Sequence, residues 1–225
     1  MLLDFEKTKE LLEKYHIPTV ESLVIQTAEQ GIEFADKVGF PVVLKLISSN
    51  VLHKVDKGLV KLNIQNKLDM EIACKELNSF LEERSLTPCS PKIPSEFSAE
   101  GFLGIVAQKQ ISGTELFVGM KRDKSFGPVI SFGLGGIFVE VLKDVAFGIC
   151  PIEKKEAQGI IKSIKSYKIL EGFRGQKGVD VNKLSDVLVL VSRLAMENEE
   201  INEIDINPLF ALGNEIMAVD VKIII

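Results

Sequence analysis

The chain has 225 residues, with 27 basic against 32 acidic side chains, 46% hydrophobic residues, 26% charged residues, 17 Gly and 3 Cys. That length supports one large domain or two small lobes with a real core, and the composition excludes long disorder, a collagenous chain and a coiled coil. A net charge of −5 with no block of like charge argues against a basic nucleic-acid arm.

Phe5, Thr8, Leu11, Leu12 and Tyr15 recur at helical spacing behind Asp4, which predicts a helix over 4–15, stopped at His16-Ile17-Pro18-Thr19. Val20 to Ile25 reads as a short strand, and Thr27 caps a helix through Val38 that Gly39 ends. Phe40 to Ile47 is a buried-strand run broken only by Lys45, so the first 47 residues alternate helix and strand. A polar segment, Ser48–Gly58, precedes a strand at Leu59–Ile64 and a helix over about 68–83. Residues 85–99 read as a surface loop. Strands follow at 102–111 and 114–120, and Gly113 between them suits a hairpin or a hinge. Gly127, Gly133, Gly135, Gly136 and Gly148 punctuate β-branched and Phe residues over 127–149. Helices at 153–165 and 182–197 then flank a loop at Gly172–Gly178, and strands near 201–206 and 215–224 complete the pattern.

Cys74, Cys89 and Cys150 are odd in number and form no CxxC pair, and His16 and His53 build no metal cluster with them. A disulfide framework is therefore not expected, and a reducing cytoplasm is the simplest compartment. The first residues lack a basic segment followed by an apolar run, and no apolar stretch approaches the length of a membrane span.

Lys45 stands out because an ammonium inside an apolar strand needs a partner or a cleft. It is either a snorkelling lysine at a strand end or a phosphate ligand held rigidly by the strand. Phe132-Gly133-Leu134-Gly135-Gly136-Ile137 lets backbone N–H groups approach an anion, yet it matches neither the dinucleotide fingerprint nor the P-loop. Glu203-Ile204-Asp205-Ile206-Asn207-Pro208 is more informative. Strand alternation sets Glu203, Asp205 and Asn207 on one face and sends Ile204 and Ile206 into the core. Oxygen ligands two apart on a strand suit a hard cation such as Mg²⁺, and a turn at Gly213-Asn214 would pair Asp220 beside Asn207. The alternative is a solvated strand face, which is weakened by the repulsion of acids so aligned. His53, flanked by Lys54, Asp56 and Lys57, is either solvated surface or a nucleophile and proton carrier near neutral pH. Arg174, between Gly172-Phe173 and Gly175, is either solvated or a fork for a carboxylate or phosphate, and His16 reads as structural.

Gly39–Lys45, Leu52-His53-Lys54, Gly113-Thr114-Glu115, Phe126–Val129, Phe132–Glu140, Gly172–Gly175 and Glu203–Leu209 occur in an order that resembles one family. It is the ATP-grasp (β) subunit of ADP-forming acetyl-CoA synthetase, within the NDP-forming acyl-CoA synthetase superfamily. The resemblance implies an α+β ATP-grasp fold, two α+β lobes clamping a nucleotide, with an N-terminal lobe at about 20–105. The C-terminal lobe would cover about 106–225, with residues 1–19 packed as an N-terminal helix. It implies the interconversion of acyl-CoA, ADP and phosphate with acid, CoA and ATP. A CoA-binding α subunit, in an α2β2 assembly, would pass a phosphoryl group through its own histidine. By the same resemblance His53 relays that group, Asp205 faces the incoming phosphohistidine, and Lys45 and Glu115 bind ATP or ADP through phosphates and ribose. The Gln108–Ile111 stretch, with Gln108, Lys109 and Ile111, would form the adenine-reading hinge, and Asn207 and Asp220 would hold Mg²⁺. The loop after His53-Lys54 departs from the family's Ser-Asp-x-Gly-Gly, reading Val55-Asp56-Lys57-Gly58-Leu59. Alternatives are a succinyl-CoA synthetase-like β subunit, a non-catalytic nucleotide-sensing subunit and a carboxylate–amine ligase.

Overall fold

The computed structural model describes residues 1–48, 58–85, 102–136, 144–172 and 178–225. They fall into two compact units, Val20–Ile111 and Met1–Thr19 with Ser112–Ile225. His53 and its flanking loop, the loop at 86–99, Ile137–Glu140 of the glycine-rich stretch and Arg174 lie outside the described residues.

Helix α1 (Phe5–Lys14) starts where the Asp4 carboxylate accepts the Lys7 N–H at 2.9 Å, a side-chain cap for an otherwise orphaned donor. Its end is a hydrogen-bonded cap rather than a stop imposed by Pro18. The His16 N–H donates to Glu13 O at 3.0 Å and the Ile17 N–H to Leu12 O at 2.9 Å. This is the Schellman pattern, and Leu12 and Ile17 supply its buried apolar contact. It places His16 at φ 57, in the left-handed region.

In the unit Val20–Ile111, β1 (Ser22–Ile25), β2 (Val42–Ser48), β3 (Val60–Ile64) and β4 (Phe102–Lys109) pair antiparallel in the order β1-β4-β2-β3. Helices α2 (Ala28–Val38) and α3 (Lys67–Ser85) cover one face. Thr27 caps α2, and Gly39 ends it at φ 86, a conformation that costs glycine nothing. Strand alternation carries Leu44 and Leu46 into the core beneath the helices. Lys45 takes the other face, half-buried in register between Val60 and Val106. β4 pairs along its length in this sheet, so the unit reaches Ile111, whereas the sequence reading drew an edge near residue 105.

The other unit holds β5 (Thr114–Asp123), β6 (Gly127–Leu134), β7 (Val145–Ile149), α4 (Lys154–Ser163), α5 (Tyr167–Leu170), α6 (Val181–Glu197), β8 (Glu203–Leu212), β9 (Glu215–Ala218) and β10 (Val221–Ile224). The sheet runs β10-β8-β5-β6-β7, with β9 also paired to β8, and all pairs are antiparallel. Val118, Ile130, Ile204 and Ile206 share one core with Ile161 of α4 and with Leu184, Leu188 and Val191 of α6. β4 and β5 lie in different sheets, so the expected hairpin across Gly113 does not form. The segment read as one strand over 215–224 is two, β9 and β10, and the single turn of α5 is too short to leave a periodic signal.

Arg122 of β5 secures the end of α6. Its Nη2 donates to Ala195 O at 2.8 Å and Asn198 O at 3.1 Å, and its Nε donates to Ile201 O at 3.0 Å. A cation there answers the exposed carbonyls and negative pole of the helix. The chain ends also meet. The Leu3 N–H donates to Ile223 O at 2.8 Å, Leu2 bridges Ile224, and the Met1 amino group donates to Ile225 O. Cys74 and Cys150 are buried free thiols, and burial pushes both up from their ordinary value, so neither is a ready nucleophile.

The left-handed conformation costs a non-glycine residue roughly 1–2 kcal/mol, against the entropy that glycine itself loses on folding. His16→Gly is therefore expected to raise the free energy of unfolding by about 0.5–1 kcal/mol, read from the urea midpoint. A lower midpoint would show that the imidazole contributes packing that outweighs the backbone strain.

Candidate functional site

The acids legible in the sequence come together at an irregularity in β8. Against β5, Leu209 pairs with Leu116 but Ile206 pairs with Val118, so Asn207 and Pro208 together face Phe117. That is a β-bulge, and burial changes phase across it: Ile204 and Ile206 are buried before it, Leu209 and Ala211 after it. On the other side, Ile206 pairs with Val221 of β10 and Leu209 with Ala218 of β9. Val219 and Asp220 thus fall opposite the bulge. The Asn207 N–H donates to Asp220 O at 3.0 Å, and the Val219 N–H to Pro208 O at 3.1 Å. Asn207 and Asp220 are held side by side, with Asn207 exposed and Asp220 half-buried.

One register step along β8, Asp205 sits half-buried between Lys222 of β10 and Gly119 of β5. Burial raises its carboxyl above the ordinary value of 3.8; the Lys222 ammonium pulls it down, and Asp220 and Glu203 push it up. Gly119 pairs in turn with Ser131, whose Oγ lies 2.6 Å from where a Cβ on Gly119 would be. Lys222, Gly119 and Ser131 were missed by sequence reasoning. A cross-strand neighbour is defined by register, which a single strand's pattern does not contain.

Glu115 stands exposed near the start of β5, and alternation puts it on the sheet face of Gly119 and Asp205. The distance along the strand from Glu115 to Gly119 is roughly 13 Å, the scale of a nucleotide from its sugar to its last phosphate. The Gly135 N–H donates to Glu115 O at 2.7 Å.

The remaining expected ligands lie in the unit Val20–Ile111. Lys45 projects from the face of its sheet opposite the helices. Gln108 is buried at the end of the β4 ladder, Lys109 is exposed and Ile111 is half-buried. The Lys109 N–H donates to Glu21 O at 3.0 Å and the Gln110 N–H to Pro41 O at 3.1 Å. Those two donors of the expected hinge are engaged by the protein and are not available to a base while that pairing holds.

The donor set at the bulge fits Mg²⁺. An amide oxygen and a carboxylate side by side, with Asp205 adding negative charge, are hard oxygen ligands for a small divalent ion. Among the described residues no group of three or more His, Cys, Asp or Glu is placed to hold a metal. An ion here would therefore complete its shell with phosphate oxygens and water, the usual habit of Mg²⁺.

The raised Asp205 carboxyl makes ionisation a cost to the folded state. Stability falls as pH rises from the unfolded value, near 3.8, through the folded one, and stays lower at neutral pH. Asp205→Asn should accordingly melt above the unsubstituted protein at pH 7 in metal-free and nucleotide-free buffer, with the gap closing as pH drops below 3.8. A lower melting temperature at pH 7 would mean that Lys222 outweighs burial.

The family model for the ATP-grasp domain matches residues 1–225. The chain is 40% identical over 220 residues to the β subunit of acetate–CoA ligase [ADP-forming] I of Pyrococcus furiosus, covering 97% of this chain and 90% of that one. It is 38% identical over 240 residues to acetate–CoA ligase [ADP-forming] I of Archaeoglobus fulgidus, covering 98% of this chain but only 33% of that longer protein. Among solved structures it resembles acetyl-coenzyme A synthetase 1 of Ca. Korarchaeum cryptofilum in complex with coenzyme A, Ca-AMPCP and HgCl+. The TM-score is 0.86 at 36% identity, covering 100% of this chain and 93% of that one. The same Korarchaeum protein with coenzyme A and Mg-AMPPCP, its phosphohistidine segment pointing towards the nucleotide binding site, matches with a TM-score of 0.81 at 35% identity, covering 100% of this chain and 92% of that one. It follows that the chain belongs to the ATP-grasp family, in the group that holds the β subunits of ADP-forming acetate–CoA ligases.

Proposed function

We propose that this chain is the nucleotide-handling β subunit of an ADP-forming acyl-CoA ligase of the acetate–CoA type, acting with a CoA-binding α subunit. The observation that carries the reading is the pairing of Asn207 with Asp220 across the bulge, one register step from the half-buried Asp205. An α2β2 assembly and a cytoplasmic location complete the proposal. The buried free thiols accord with a reducing compartment, and among the described residues no helix is long and apolar enough to cross a membrane.

On the α partner, phosphate displaces CoA from the acyl-CoA to give an acyl phosphate, and the partner's histidine takes the phosphoryl group and releases the acid. His53 then accepts that group and transfers it to ADP, so that one phosphoryl moves through two imidazoles and ATP forms. Splitting one long transfer into two shorter displacements is what a nucleophilic relay contributes. Asp205, flanked by Lys222, faces the arriving imidazole and orients its ring N–H. Lys45, on a rigid strand, binds the nucleotide's phosphates; Glu115 accepts from the ribose hydroxyls; and Gln108, Lys109 and Ile111 border the adenine. Asn207 and Asp220 would hold Mg²⁺, which supplies charge neutralisation to the phosphoryl oxygens.

Incubating the α–β complex with acetyl-CoA and labelled phosphate tests the reading. Label is expected on His53, and His53→Ala should abolish net ATP formation while leaving Mg-nucleotide affinity nearly intact. Nucleotide binding without label would favour the non-catalytic sensor. Lys45→Ala removes a charge-assisted hydrogen bond worth about 1.5–3 kcal/mol, so Mg-ADP affinity should drop roughly ten- to a hundredfold by calorimetry. Unchanged affinity would remove Lys45 from the phosphate site.

A further inference from the structure

The turn after β6 closes on Glu115 twice. The Gly135 N–H donates to the Glu115 carbonyl at 2.7 Å, which fixes the main chain of the acid. A Cβ built on Gly136 would lie 2.5 Å from Glu115 Oε2, closer than side-chain carbons approach any atom. The carboxylate therefore occupies the volume that any side chain at position 136 would need. Gly136 also has φ +61, so this space is kept open by a residue for which the left-handed turn is unstrained. Gly135 is equally confined, since its own Cβ would lie 3.0 Å from Leu116 O and 3.1 Å from the Glu115 carbonyl carbon. A carboxylate with two acceptor oxygens, given room beside Gly136 on the sheet face it shares with Asp205, suits a pair of neighbouring hydroxyls.

We propose that Gly136 is a positioning residue that seats the Glu115 carboxylate for the two sugar hydroxyls of the nucleotide, and so sets a preference for ribonucleotides over 2′-deoxyribonucleotides. The inference rests on the reading above that Glu115 binds the ribose. A side chain at 136 displaces the carboxylate without touching the phosphate ligands, so the loss falls on the sugar and not on the phosphates. A site built to hydrogen-bond a hydroxyl discriminates against the analogue that lacks it, whereas a displaced acceptor does not.

The test is calorimetric binding of Mg-ADP, Mg-2′-dADP and Mg-pyrophosphate to the full chain, to Gly136→Ala, to Gly136→Asn and to Glu115→Ala. Asn tolerates the left-handed region and still carries a Cβ, so it separates displacement of Glu115 from misfolding. The unsubstituted chain should prefer Mg-ADP to Mg-2′-dADP by about tenfold, one hydrogen bond to a charged acceptor. All three variants should bring that ratio near one while binding Mg-pyrophosphate as before. A ratio lost in Glu115→Ala but kept in Gly136→Asn overturns the role of Gly136 and leaves Glu115 as the ribose ligand. A ratio that Glu115→Ala does not change overturns both. Failure of the unsubstituted chain to bind Mg-ADP at all overturns the nucleotide-handling reading itself.

Discussion

Much of this site depends on one main-chain hydrogen bond, from the Asn207 N–H to Asp220 O. It spans the place where β8 bulges at Asn207-Pro208 and the facing edge divides into β9 and β10. A regular ladder through this point would keep strict alternation and carry one of the two residues toward the core. The bulge shifts the phase by one residue, so Leu209 and not Pro208 follows Ile206 into the core, while Asn207 keeps the open face that alternation gives it. Both partners are irregular at the same level, and each irregularity is satisfied by the other's backbone groups.

That geometry concentrates negative charge on one strand face. Asp205 is raised by burial and by the neighbouring Asp220 and Glu203 carboxylates, with Lys222 as the compensating cation. A surface selected for stability alone would dilute such a row. It stands beside an amide and a carboxylate that fit a hard cation, the arrangement on which the proposed function draws.

Most local elements could be read from the sequence because their signals are short-range. Asp4, Thr27 and Gly39 mark helix ends by hydrogen-bonding chemistry that involves only nearby residues. The alternation of Ile204 and Ile206 with Glu203 and Asp205 has the period of a strand. What escaped is long-range pairing. That β4 and β5 belong to different sheets, that residues 215–224 break at Val219-Asp220, and that Lys222 lies opposite Asp205 are all facts about register between distant segments. His16 is an intermediate case. Its departure from the helix was legible, but the cap that produces it depends on N–H groups of His16 and Ile17 turning back to Glu13 and Leu12.

The meeting of the first and last residues, with Leu2 bridged to Ile224, bears on how such a domain can be wired into larger proteins. Sequence appended at either end departs from a common point beside β10, so a covalent neighbour need not thread past the sheet face that carries Glu115 and Asp205. The same fold can then serve as a separate subunit, as in the Pyrococcus relative, or as about one third of a single polypeptide, as in the Archaeoglobus one. Gene fusion and fission between these arrangements demand a change of linker and leave the hydrogen-bonded interior as it was.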